Sequence, residues 1–324
     1  MKTTHALFAV LAFTGIAITG CTKDVTAPEN EQAPAGVTNE IEAMKLMASQ
    51  DEFVQNDEQT FEDREIEPME TGTFGKIEAE ITPLRFGRFI TSVTRTITVT
   101  VAPGDSIAVA HVQKDIEGIF KIKGINGVGD TVLVEKPFED RATRNVIFKR
   151  INRDNARFWR NWIPVATSLV DGGTISNSPS QIDLTKLQMF LRNGDTVTVT
   201  DPNSFYLRYR WLRLFDGGRK DIPELSGGDR VILQATLASA SPDTDIVALR
   251  LGYGPGNHRR TRMELVSELD NGDGTFTRVY QKAWFCHFHT GFFHAGVVAV
   301  TKETLFDDAA PYAASWWGVP YRVF

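Results

Sequence analysis

Cysteine is nearly absent: Cys21 and Cys286 are the only two in 324 residues. That excludes a disulfide framework, so stability must come from core burial, which a chain of this length can supply. Beyond residue 21 no apolar run reaches the ~18 residues of a membrane-spanning helix. The Gly-x-Ser-x-Gly elbow, the phosphate loop, His-Glu-x-x-His and Cys-x-x-Cys are all missing, so no signature-bearing hydrolase, nucleotidase, zinc protease or dithiol redox enzyme is indicated. An overall basic excess is lacking too, the net charge being −6.

That net charge hides an asymmetry. Residues 22–81 carry 4 basic against 16 acidic side chains, residues 82–225 carry 21 against 15, and residues 226–324 carry 9 against 10. An acidic front and a basic middle can attract each other, while a charge run that merely stays solvated gives the same count.

The first 21 residues have the layout of an export signal. Lys2 supplies a positive start, and Ala6–Phe13 with Ile16-Ala17-Ile18 forms an apolar stretch too short to span a bilayer comfortably. It ends in Ile18-Thr19-Gly20-Cys21: an aliphatic residue, two small residues, then cysteine. This segment resembles the lipobox of bacterial lipoproteins. The resemblance implies cleavage of residues 1–20, fatty acylation (a palmitate-type membrane anchor) at Cys21, and a place in the cell envelope. Thr22-Lys23 after the cysteine points to the outer membrane, on its periplasmic or surface face, over the inner one. Several acyl chains make a stable anchor where one is marginal.

Residues 21–40, rich in Pro, Glu, Ala and Thr, are expected to form a lipidated tether. Over 41–72 the apolar residues Ile41, Met44 and Met47 recur every three positions among acids, which predicts one or two short helices docking on the basic middle. From residue 73 the pattern is that of strands. Thr94–Val101 alternates with period two; Ile107–Val112, Gly118–Ile122 and Thr131–Val134 follow, and Leu184–Thr200 reads as a hairpin turning at Asn193-Gly194-Asp195. Phe205–Phe215 alternates aromatic and basic residues, whereas Arg141–Trp162 shows no clear strand pattern.

A glycine-rich stretch near 216–228 suggests a boundary. The expected fold class is all-β: a short acidic, partly helical segment, then two antiparallel β-sandwich-like (Ig-like) domains, 73–225 and 226–324. The second resembles the immunoglobulin-like repeats of bacterial surface proteins, through the Asp270-Asn271-Gly272-Asp273-Gly274-Thr275-Phe276 turn and Gly291-Phe292-Phe293 leading into Ala295–Val300. That resemblance implies a fold and no activity.

Few residues could carry chemistry. His287, His289 and His294 fall within eight positions; two imidazoles two apart on a strand plus one from the next strand suit zinc or copper. Packing amid Phe285, Phe288, Phe292 and Phe293 explains the same histidines. Cys286 fits a buried apolar role. The Asp270–Gly274 turn lacks the ligand spacing of a calcium loop and fits a hairpin turn. The basic and aromatic residues of Arg141–Trp162 would suit nucleic acid in a cytoplasmic protein; the export signal argues against that partner and for anionic glycans, lipid head groups or the acidic segment. The aromatics from Tyr312 to Phe324 can stack on sugars or pack between layers. The reading is a membrane-anchored, non-enzymatic binding or structural module for envelope proteins or polysaccharide. A transition-metal-binding lipoprotein and a hydrolase with an unrecognised site are the alternatives.

Overall fold

The computed structural model describes residues 38–63, 67–68, 81–151, 160–175, 181–208, 223–252 and 258–324. Cys21, most of the tether and Tyr209–Phe215 lie outside them, as do Arg153, Arg157, Phe158 and Trp159.

Two helices open the described chain, α1 (Glu40–Gln50) and α2 (Glu52–Phe61). Asn39 caps the first through its side chain to the Glu42 N–H, and Asp51 caps the second through the Val54 N–H. Of the segment 41–72 expected to hold one or two short helices, residues up to Phe61 are helical in two pieces. Their acids meet the basic middle directly, Asp57 pairing with Arg144 at 2.6 Å and Glu40 with Arg150 at 2.7 Å, while Asp63 just after α2 pairs with Arg250 of the last third of the chain at 2.7 Å.

The rest is almost entirely β, in two sheets. The larger holds β1 (Glu67–Pro68), β2 (Ile81–Val101), β3 (Ile107–Asn126), β4 (Thr131–Arg150), β5 (Trp162–Ser168), β6 (Asp171–Thr174), β9 (Tyr206–Arg208), β10 (Glu224–Leu225), β12 (Ile246–Gly252), β13 (His258–Arg262), β16 (Gly291–Val300) and β17 (Ala314–Val323). Its main path runs β1-β2-β3-β4-β6-β17-β16-β12-β13. The smaller, in the order β14-β15-β11-β7-β8, holds β7 (Ile182–Phe190), β8 (Thr196–Val199), β11 (Arg230–Ser239), β14 (Glu264–Asp270) and β15 (Phe276–Phe285). A five-residue helix, α3 (Lys302–Phe306), joins β16 to β17.

The small sheet packs on β12, β16 and β17 to make a sandwich. Leu187, Leu233, Leu237 and Tyr280 meet Val247, Leu249, Val297 and Trp317 in one core. The opposite face of these three strands is buried as well. There Ile246, Val300 and Trp316 meet Phe61, Phe86, Phe120 and Tyr312. The large sheet thus curls, and β2–β4 return over the back of the sandwich with α2 between. Arg260 on β13 donates to the Phe86 carbonyl on β2 at 2.8 Å, linking the two ends of the curl. Gly172 permits the curl to close: a Cβ there would lie 2.3 Å from the Trp316 ring.

The division expected at 225/226 does not separate the strands. β7 and β8 precede it yet lie in the small sheet beside β11, and β17 follows it yet pairs with β6. Residues 35–324 form one compact unit.

Local readings fared unevenly. The β7–β8 hairpin turns at Gly194, whose φ is +87°, as Asn-Gly predicts. Ile107–Val112 and Gly118–Ile122 are one continuous strand of 20 residues. Arg141–Arg150 is the second half of β4. Between β13 and β14 the chain passes from the large sheet to the small one at buried Met263.

Candidate functional site

Strands β2, β3 and β4 form a meander about 20 residues long, near 65 Å at the usual rise of about 3.3 Å per residue. One face is fully used. Ala108, Ala110 and Val112 pack with Met44, Ala48, Val54 and Trp162. Beyond them Lys114 donates to the Val54 carbonyl.

The other face is mainly polar and is solvated along β2, while on β4 Asn203 covers part of it, donating to the Thr143 hydroxyl at 2.8 Å and accepting from the Asn145 side chain at 3.1 Å. Register places Thr96, Gln113 and Thr143 in one row, and Thr98, His111 and Asn145 in the next. His111 Nδ1 lies 3.0 Å from Asn145 Oδ1, and Arg141 donates to Asp115 at 2.7 Å. Thr94, Thr96, Thr98 and Thr100 are all exposed. Among the described residues β2 is bordered on its outer side by β1 alone, at Arg85 and Phe86. At Arg88 the edge is closed by Asp63, whose N–H donates to the Arg88 carbonyl at 2.8 Å and whose carboxylate accepts from the Arg88 N–H at 2.8 Å. From Phe89 to Val101, rich in β-branched residues, no strand among the described residues lies beside it. Such an edge offers unpaired backbone N–H and C=O groups to an extended partner. The Thr94–Val101 alternation announced the strand; its position at an edge is a matter of topology and has no local sequence signal.

The histidines divide. His287 and His289 are neighbours, their ring centroids 6.0 Å apart. His287 Nε2 lies 3.3 Å from the Tyr321 hydroxyl, and its ring meets Phe293 edge-on at 4.0 Å. Burial, then the nearby His289, holds its pKa below the ordinary imidazole value. His294 follows Phe293 on β16 and so points to the opposite face of the sheet, where its ring lies 5.1 Å from Phe53 of α2. Among the described residues no group of three or more His, Cys, Asp or Glu side chains is arranged to hold a metal ion. The three-histidine shell expected for zinc or copper is therefore not assembled. Cys286 is buried, and burial followed by the Asp229 charge pushes its thiol up to about 11. It is a packing residue and a poor nucleophile.

The remaining candidates are occupied by structure. The Asp270–Gly274 turn is held by its own side chains, Asp270 accepting from the Gly272 N–H and Asp273 from the Thr275 N–H. Tyr312, Trp316, Trp317 and Tyr321 are buried between layers, Trp316 donating to Asp140 at 3.1 Å. Arg144 and Arg150 face the acidic helices. Arg150 grips Glu40 through both oxygens, at 3.2 and 2.7 Å, while Asn161 and Trp162 complete the cradle at 2.8 and 2.9 Å. These donors outweigh burial and keep the Glu40 carboxyl below its usual range. Lys136 donates to the Asp307 carbonyl at the end of α3.

One cluster had no signal in sequence. Asp171 on β6 is pushed up to about 6, by burial first and then by the charges of Asp183 and Asp201, against the Trp317 indole. Asp183 is raised as well, chiefly by burial. The three carboxyls lie on β6, on β7 and just before the turn at Pro202–Ser204, close enough for the charges of Asp183 and Asp201 to act on Asp171.

Comparison with protein-family models, curated proteins and solved structures finds no match.

Proposed function

We propose that this chain is a lipoprotein of the bacterial cell envelope, acylated at Cys21, and that it acts without catalysis as a binding module for envelope proteins or polymers. Its binding surface is the outer edge and polar face of the β2–β4 meander. The observation that carries this reading is the long edge of β2 from Phe89 to Val101, with the exposed Thr94, Thr96, Thr98 and Thr100 along it and the exposed His111 and half-buried Gln113 beside it. An edge of this length accepts an extended chain by strand addition, and the polar rows supply hydrogen bonds to its alternate side groups. The lipobox supports the membrane attachment. The burial of Cys286 leaves Cys21 without an accessible thiol partner in the same chain.

The test is cross-linking in the intact envelope from a photoreactive residue at Thr98. One dominant adduct is expected. The same group at Val128, in the hairpin at the far end of the meander, is expected to give none. No adduct at Thr98, or the same adduct at both sites, would overturn the assignment of the surface.

A further inference from the structure

Strand register shows which features share an end of the molecule. Val146 to Arg150 on β4, Val319 to Phe324 on β17 and the start of β16 at Gly291 all lie on the same side of the level Thr143–Asp171–Trp317–Val297. Trp162 pairs with Arg150, and Glu40 is bound by both, so the described chain enters at this end, through Thr38 and Asn39. Phe285 pairs with Arg230 at the close of β15, and the 286–290 loop connects it to Gly291. It is therefore at the same end.

Three phenylalanines stand out there: Phe288 is 81% exposed, Phe285 72% and Phe324 46%. Exposed aliphatic residues occur at both ends of the molecule, for example Ile107 here and Val128 opposite, and so do not discriminate. Exposed phenylalanines are found, among the described residues, only where the chain enters. Phe288 is also held in place. It lies across the Gly227-Gly228 turn, where a Cβ on Gly227 would be 2.7 Å from its ring. The turn itself is bonded to the loop, Gly228 N–H to the Cys286 carbonyl at 2.9 Å and Cys286 N–H to the Asp229 carbonyl at 2.8 Å. A well-anchored, outward aromatic group beside the entry point is what an interfacial contact needs, since aromatic rings favour the head-group level of a bilayer.

We propose that this end is a lipid-contacting face, on which Phe285, Phe288 and Phe324 enter the membrane interface. The inference deepens the lipoprotein reading and rests on it for orientation. From Cys21 to Thr38 is 17 residues, at most about 60 Å of chain, and contact at this face would hold the body down against the bilayer.

The test uses the unacylated mature chain carrying Cys21→Ser, floated with vesicles of phosphatidylethanolamine and phosphatidylglycerol. It is expected to bind, and Phe285→Ser with Phe288→Ser to weaken partitioning at least about tenfold. Phe288→Trp should retain binding. Leu269→Ser, an exposed apolar site at the other end, should leave it unchanged, and all variants should melt with the parent. No binding by the parent, or equal binding by the double variant, overturns the proposal. Acylation is read separately, from the mass of protein taken from its native membrane, so failure at Cys21 and failure of this face give different results.

Discussion

Asp57 lies between Arg144 and Lys114, all three almost wholly removed from water. An ion pair of this kind is weak evidence of net stabilisation, because desolvation offsets much of the attraction. Removing one partner is costly nevertheless, since the other charge stays buried. Asp57→Ala is expected to cost about 3–5 kcal/mol, read as a lower melting temperature. Asp171 works in the other direction. Its folded-state pKa of about 6 exceeds the ordinary 3.8, so the folded chain binds its proton more readily than the unfolded one. Stability from this group therefore grows as pH falls from about 7 towards about 4. Asp171→Asn should raise the melting temperature at about pH 7.5 and do little near pH 4. An equal effect at both would show that the carboxyl is not perturbed. Asp63 has the opposite sign: burial opposes its charge, but Arg250 and Arg260 hold its pKa low, so its contribution is present at neutral pH and lost as pH falls below the ordinary carboxylate range. None of these partnerships was legible in the sequence, where Asp57 and Arg144 are 87 residues apart. Inward charges also hid structure. Lys136, Asp140 and Arg144 occupy core-facing positions on β4 and break the alternation by which a strand is recognised.

At the scale of elements, α1 and α2 behave as part of the core. Phe61 fills the space over Gly296, where a Cβ would sit 2.6 Å from its ring. The cavity left among Phe61, Arg88, Arg250 and Tyr312 is ≈ 20 Å³, about the room of one water molecule. Gly296→Ala should therefore displace α2 and destabilise by about 1–3 kcal/mol or more. A chain beginning at residue 64 should lose the cooperative melting transition, because it removes the acidic partners of Lys114, Arg144, Arg150 and Arg250 and uncovers Ala108, Ala110 and Val112. A sharp transition in that chain, followed by circular dichroism, would show the helices to be an accessory. A short acidic helical segment of one or two helices was legible in the sequence, α1 from the spacing of Ile41, Met44 and Met47. So were the Asn193-Gly194 and Asp270–Gly274 turns, because positive φ restricts the residues that fit. The corner at Met263 was not, since no glycine, proline or other turn residue marks the point where the chain changes sheets.

For the whole molecule, the all-β, sandwich-like class followed from short β-branched runs between turn residues. The single unit did not follow, because glycine-rich stretches mark turns within a domain as readily as boundaries between domains. Long-range pairing of β6 with β17 and of β7 with β11 decided it. The three-histidine site failed for a related reason. Spacing brings His287 and His289 together, while strand alternation sends His294 to the other face. The functional account rests on a body tethered through Cys21, presenting one long sheet edge to its surroundings. The most direct measurement is the intact mass of the protein extracted from its native membrane, beside a Cys21→Ser variant. The account predicts a chain that starts at residue 21, heavier than its sequence by fatty-acyl groups, and a variant released from the membrane fraction. An unmodified Cys21 in a protein that still begins at Met1, or is recovered in the soluble fraction, would contradict it.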